Sequence, residues 1–283
     1  MSQPDAFFPD DSGAIAAGPD VDIESAPMHI EGALTEASNV TLRVQFIVDD
    51  EPTQHRAVYK PIQGERPLPD FPNRTLAYRE VAAYVISELG GWGLVPKTIL
   101  RDGPLGMGSV QIWKEVPDDI AALPASGLMD VISAGAIPDG WLSVLEAEDQ
   151  RGRPLSVVHR NDETLASLCV LDVVLNNADR KAAHIAIDAD GHLWAFDHGL
   201  IGHVEPKLRT VLWGWAGDDL PAADIARLEI LLDRLNDDAD TGLESLLSGS
   251  EMAALRMRVE DLLEAGEFPD VPFGRYPLPW PLW

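Results

Sequence analysis

The sequence predicts an α+β chain of two lobes, an antiparallel sheet over residues 28–116 and a mainly helical lobe over residues 117–283. Three observations carry that prediction. Short runs rich in Val, Ile, Phe and Tyr, separated by turn residues, crowd the stretch from Met28 to Lys114. Segments with apolar residues at helical spacing dominate the remainder. A length of 283 residues with 46% hydrophobic content is enough to bury the core of one large domain or of two modest lobes.

The elements follow in order. Residues 1–27 hold Asp5, Asp10, Asp11, Asp20, Asp22 and Glu24 with no Lys or Arg, the composition of a disordered acidic tail. "NVTLRVQFIV" and "HRAVYK" read as strands, with "LTEASN" as the turn before the first of them. "TLAYREVAAYVISELGG" places Ala77, Val81, Ala82, Val85 and Leu89 on one helical face and stops at Gly90-Gly91. Short strands at 97–101 and 109–114 come next, and the chain then turns mainly helical through 165–176.

A hairpin follows, because Asp190-Gly191 is a strong two-residue turn signal between apolar runs. That register sets His184 opposite Asp197. It puts Ile185, Ile187, Trp194 and Phe196 on an apolar face, and His184, Ala186, Leu193, Ala195 and Asp197 on the other. Further on, Ile225, Leu228, Leu232 and Leu235 stand in helical phase. Ser248 and Glu251 have capping-box spacing before a last helix with Leu255, Val259 and Leu262. The segment "FPDVPFGRYPLPWPLW" has too many prolines for a helix, and Trp280 and Trp283 predict that it packs back onto the domain.

Charge narrows the partners. With 47 acidic against 21 basic residues, a net charge of −26 repels nucleic-acid backbones and anionic membrane surfaces, so no nucleic-acid partner is expected. Cys169 is the sole cysteine, which excludes an intrachain disulfide and a Cys-based metal site. No apolar run approaches the roughly 20 residues of a membrane span, and no secretion signal is evident at the start. A cytoplasmic location is the expectation.

The stretch "NNADRKAAHIAIDADGHLWAFDHG", Asn176 to Gly199, concentrates ionisable side chains at the mouth of the hairpin. Asp179 precedes His184 by five residues, and Asp197-His198-Gly199 follows the second strand. Upstream, Lys60 ends the strand "AVYK" and Glu80 lies early in the next helix. Taken singly, the hairpin residues read as a polar hairpin mouth, and Lys60 and Glu80 more often prove a surface strand Lys and a solvated helix Glu. In this order and spacing they resemble the phosphatidylinositol 3- and 4-kinase-related branch of the kinase fold, in particular a family of small actinobacterial members. The similarity runs from about Met28 to the C-terminus and is strongest at Lys60, Glu80, Asp179-Arg180 and Asp197-His198-Gly199.

The resemblance implies a protein-kinase-like fold with ATP held between the lobes. It implies a Lys60–Glu80 ion pair that orients phosphates, Asp179 with Arg180 as catalytic residues, and a divalent metal, Mn²⁺ or Mg²⁺, on His184 and Asp197. Imidazole in place of the usual Asn suits Mn²⁺ better than Mg²⁺, with ligation weakening below about pH 6.5, where a free His protonates. There is no GxGxxG motif, so the phosphate-covering turn would use Ser38, Asn39 and main chain; a plain hairpin turn is the alternative. "SVQIWKEV" falls at the connection between lobes, where Gln111, Trp113 and main chain at 111–115 would meet the adenine; an ordinary edge strand is the alternative. Lys207 and Arg209 stand where an acidic acceptor group would bind, or in a solvated loop, while His159, His192 and His203 read as structural or exposed.

The function implied is ATP-dependent phosphoryl transfer to a hydroxyl of a protein or small molecule. Two alternatives stay open on the same scaffold. One is a nucleotide-binding pseudokinase that binds a partner, and the other is nucleotidyl transfer.

Overall fold

The computed structural model describes residues 21–34, 39–237 and 241–283. It shows an α+β architecture with a sheet-rich first part and a mainly helical second part. Strands β1 (Met28–Ala33), β2 (Leu42–Val48), β3 (Glu51–Pro61), β4 (Thr98–Gly103) and β5 (Gly106–Ile112) form one antiparallel sheet in the order β1-β2-β3-β5-β4. Strand alternation turns Val44, Phe46, Ala57, Tyr59 and Val110 inward, all completely buried. The segment "LTEASN" precedes β2, the first strand expected, and its residues 35–38 lie outside the described residues; the added strand is β1, since "MHIEGA" pairs with β2 despite its weak strand composition. Residues 1–20 lie outside the described residues. Residues 21–27, expected to be part of the tail, are folded: Ile23 is buried in the sheet core, and Arg101 Nη1 donates to the carbonyls of Ile23 and Ala26 at 2.6 and 3.0 Å.

Helix α1 (Leu76–Leu89) starts where the Glu65 carboxylate accepts from Leu76 N and Ala77 N, at 3.2 and 2.9 Å. That carboxylate supplies the cap that the Thr75 side chain does not. Ala77, Val81 and Ala82 are buried as expected, but Ile86 takes the central place and Val85 and Leu89 stay half-buried at the rim. Arg79, also on α1, is buried. It bonds the Ile201 carbonyl and Glu251, and stacks over the Phe71 ring at 4.9 Å, so α1 is tied to the second lobe as well as to the sheet.

The second part departs from expectation at its start. After the short helix α2 (Asp118–Ala121), β6 (Met129–Ser133), β7 (Trp141–Glu148) and β8 (Pro154–Arg160) form a three-stranded antiparallel sheet in the order β6-β8-β7. β8 is buried without alternation from Ser156 to His159, while β6 is mostly exposed and β7 only half-buried, so neither carries a clean apolar pattern to announce it. Helix α3 (Glu163–Leu175) is capped by Asp162, whose Oδ1 accepts from Thr164 N and Leu165 N at 2.9 and 3.0 Å. It is apolar nearly all round because it is the central helix, and it ends at Asn176 in the left-handed conformation, φ 51°. Helices α4 (Ala222–Asn236) and α5 (Gly249–Ala265) pack beside it, and the Ser248–Glu251 capping box is formed. His159 is a core residue: its Nε2 accepts from Gly214 N at 3.0 Å, and burial pushes it down to about 4, so it stays neutral. Position 214 must be glycine, since a Cβ there would collide with the imidazole.

The hairpin β9 (Ile185–Ile187) and β10 (Leu193–Ala195) corrects the expected register by one residue. Ile187 pairs with Leu193 and Ile185 with Ala195, so these four share the buried face, and Phe196 N, not Asp197, faces the His184 carbonyl at 2.9 Å. The cause is Asp188. Its Oδ1 accepts from Asp190 N and His192 N, at 3.0 and 2.9 Å, which closes a three-residue loop in place of a two-residue one. Trp194 moves to the other face, where its Nε1 donates to Asp188 Oδ2 at 2.7 Å and Lys114 sits 3.8 Å above its ring.

Candidate active site

The site lies where the first sheet, α1 and the hairpin meet. Lys60, near the end of β3, directs its ammonium to Glu80 on α1 and to Asp197 Oδ1 at 2.7 Å after β10. Glu80 is almost fully buried, and its other oxygen accepts from His198 N at 2.9 Å. One carboxylate thus joins strand, helix and hairpin. Burial pushes Lys60 down, but Asp197 and Glu80 outweigh it and hold the ammonium above the ordinary lysine range. Burial likewise pushes Asp197 up, but Lys60 outweighs it and keeps the carboxyl well below the usual carboxylate range.

Asp197 and His184 come together although the register slips. Asp197 adopts φ 56°, a left-handed conformation that Asp tolerates better than most residues, at a cost of about 1–2 kcal/mol. The backbone turns there and brings Oδ2 within 3.3 Å of His184 Nε2. His184 Nδ1 faces the Asp179 carbonyl at 3.1 Å. Burial pushes His184 down to about 4, so the ring is neutral near pH 7 and has a single N–H for two oxygen neighbours. With that proton on Nδ1, a nitrogen lone pair and a carboxylate oxygen converge without a proton between them.

This donor set fits a divalent cation. Two ligands each about 2.1 Å from an octahedral ion lie about 3 Å apart, close to the observed separation. Among the described residues no cluster of three or more His, Cys, Asp or Glu could hold a metal by itself, so the remaining ligands would be phosphate oxygens and water. Burial holds His184 at about 4, so the ring would stay neutral and available to a cation well below the expected limit of about pH 6.5, where a free His protonates.

Asp179 sits in the loop between α3 and the hairpin, with Asn177 Oδ1 accepting its N–H at 3.0 Å and Lys181 Nζ 2.9 Å from its Oδ2. Burial pushes its carboxyl up, and Lys181 opposes the shift only in part. Arg180, expected beside it as a catalytic residue, is fully buried and cannot touch a substrate. It forms a bidentate pair with Asp172 and donates to the carbonyls of His184 and Phe196 at 3.2 and 3.0 Å and to His198 Nε2 at 2.7 Å. Arg180 therefore positions both ends of the hairpin. With Nε2 engaged by Arg180, His198 carries its proton on Nδ1, a buried atom with no hydrogen-bond partner among the described residues.

The other expected contacts are more distant or already engaged. Ser38 lies outside the described residues. Asn39 Oδ1 accepts from Arg66 N at 2.7 Å, anchoring the root of the β1–β2 loop. Gln111 is buried in β5 and donates to Thr98 Oγ1 at 2.8 Å, which turns its amide away from any ligand. Trp113 is half-buried with Arg43 5.9 Å from its ring, and its N–H serves the Arg56 carbonyl. The main-chain groups of Lys114, Glu115 and Val116, by contrast, make no hydrogen bond to other main chain among the described residues. Lys207 pairs with Asp70 at 3.2 Å, and Arg209 lies near enough to Asp179 to act on its charge. His192 bonds the Gly93 carbonyl and His203 packs on Phe71. Sequence reasoning missed Asp172 and Lys181; a lone Asp inside the apolar run "LCVLDVVL" was the available signal for the first.

No family model matches the chain. It is 42% identical over 253 residues to Protein Rv2133c of Mycobacterium tuberculosis (strain ATCC 25618 / H37Rv), covering 88% of this chain and 90% of that protein. Among solved structures it is similar to the Helicobacter pylori proinflammatory kinase CtkA at 12% identity, with 88% of this chain and 95% of that one covered and a TM-score of 0.47. No described helix is long and apolar enough to cross a membrane.

Proposed function

This chain belongs to the family of Mycobacterium tuberculosis Protein Rv2133c, and we propose that it is an ATP-dependent phosphotransferase of kinase type, related to the phosphatidylinositol 3- and 4-kinases, that acts on a hydroxyl of a protein or small molecule. The observation that carries this reading is the Lys60 ammonium shared by Glu80 and Asp197, with His184 3.3 Å from the same Asp197. A cation braced by a buried carboxylate at the junction of two lobes is suited to the triphosphate of a nucleotide. The main-chain groups of residues 114–116, which bond no other main chain among the described residues, would supply donors and acceptors for the adenine edge. Asp179, its carboxyl raised by burial, is a base matched to a hydroxyl proton, and Lys181 keeps it oriented. Asp197 and His184 would hold a divalent cation, which when bound neutralises phosphate charge.

Two experiments test the reading. Incubation with ATP labelled at the α or γ phosphate is expected to transfer the γ label only; α-label transfer would make the chain a nucleotidyl transferase, and transfer of neither would leave a nucleotide-binding module. Lys60→Ala is expected to weaken ATP binding at least about tenfold, the loss of one charge-assisted hydrogen bond, in a calorimetric titration with the melting temperature as control. Unchanged affinity would remove Lys60 from the site.

The metal pair has its own test. Nucleotide-loaded protein is expected to bind Mn²⁺ more tightly than Mg²⁺, and His184→Asn to shift the ratio toward Mg²⁺, because a carbonyl oxygen replaces the imidazole nitrogen. Identical Mn²⁺/Mg²⁺ ratios in both proteins would show that His184 only hydrogen-bonds Asp197.

A further inference from the structure

Residues 277–283 run beside both loops that carry the site. The Pro277 carbonyl accepts from Thr210 N at 3.1 Å and from Trp213 Nε1 at 2.8 Å, and the Leu282 carbonyl accepts from Ala182 N at 2.9 Å. Ala182 lies three residues past Asp179 and opens the tight turn that ends at His184. Thr210 is bridged to Arg180: Arg180 N donates to the Arg209 carbonyl at 3.0 Å, Val211 N to the Arg180 carbonyl at 3.2 Å, and Arg209 N to the Asn177 carbonyl at 2.9 Å. The terminal segment thus clasps two strips of chain that are already joined to each other. Leu282 packs its side chain against the main core, and Arg275 Nη1 donates to the Pro206 carbonyl at 2.6 Å, which fixes both ends of the clasp.

Its composition suits that task. Prolines at 277, 279 and 281 restrict φ and remove N–H donors, so the segment has little entropy to lose and presents carbonyls only at those positions. The Trp213 indole that meets it is buried. We infer that residues 277–283 form a strap that positions the loop from Asn177 to His184, setting the rate of the chemical step and not the affinity for nucleotide. The rate part of this inference rests on the phosphotransfer reading; the positioning part does not.

The test compares the full chain with a chain ending at Tyr276 and with Trp213→Phe, which keeps the ring packing but deletes one donor to Pro277. Amide hydrogen exchange at Ala182 and Thr210 is expected to quicken at least about tenfold in the truncated chain, the worth of one lost hydrogen bond. The turnover number is expected to fall by at least about the same factor while the ATP dissociation constant stays within about twofold. Trp213→Phe should move turnover the same way by a smaller step. Should the truncated chain fail to fold, Leu282→Ser, which loosens the anchor on the core, carries the same readouts. Unaltered exchange at Ala182 and Thr210 would overturn the strap, and so would an equal loss of ATP affinity and turnover, which marks general damage. Absence of phosphoryl transfer by the full chain counts against the phosphotransfer reading alone, because exchange still decides the strap.

Discussion

Asp179→Asn is expected to lower the turnover number by about 10³-fold while ATP affinity stays within about twofold, as befits a group that acts only in the chemical step. The backbone N–H of residue 179 donates to Asn177 Oδ1 and Lys181 Nζ lies 2.9 Å from the carboxylate Oδ2; Asn preserves the volume, and its amide oxygen can still accept from Lys181. What the substitution removes is the capacity to take a proton. Burial raises the Asp179 carboxyl, so the residue should titrate above the usual Asp range, and the parent's rate should fall on the acid side of that shifted value. Single-turnover rates beside calorimetric ATP titrations check the split. Equal turnover in variant and parent would refute the role.

Arg180→Met is expected to destabilise the fold by about 3–5 kcal/mol, a large share of the 5–15 kcal/mol typical of a whole domain. Asp172 and Arg180 are both completely inaccessible to solvent, so removing the guanidinium leaves a carboxylate in the core with only the Asn177 amide, 2.9 Å away, to meet it. The double variant Asp172→Leu/Arg180→Met should recover much of that loss, because an apolar pair needs no compensation. Denaturant unfolding of both singles and the double closes the cycle; a single variant within about 1 kcal/mol of the parent would show that the pair is not holding the loop. Loss of the Arg180 bonds to the His184 and Phe196 carbonyls should also loosen the approach of His184 to Asp197.

Local chemistry was legible wherever a residue acts on its own neighbourhood. The Ser248–Glu251 capping box, the stop of α1 at Gly90 and the residue patterns of β2 to β5 each lie within a few positions along the chain. The α+β division follows from the same short-range patterns. The order Lys60, Glu80, Asp179, His184, Asp197 was readable as a series, and the structure draws these residues into one cluster.

Sequence alone specifies the set of chemical groups and most of the elements that carry them. It did not determine which groups face which, because that depends on hydrogen bonds between segments far apart in the chain. The Asp188 side chain closed a longer loop and slipped the hairpin by one residue, yet Asp197 still reaches His184 because its backbone turns left-handed. Arg180, expected as a catalytic residue, is a buried brace, since only the packed fold sets Asp172 on α3 against it. Gln111 was drawn into the sheet by Thr98, and the exposed β6 and half-buried β7 had too little apolar contrast to show themselves. Tertiary structure decided these points because burial strengthens an ion pair or hydrogen bond and penalises any group left without one, so each polar side chain goes to the partner that packing brings within reach.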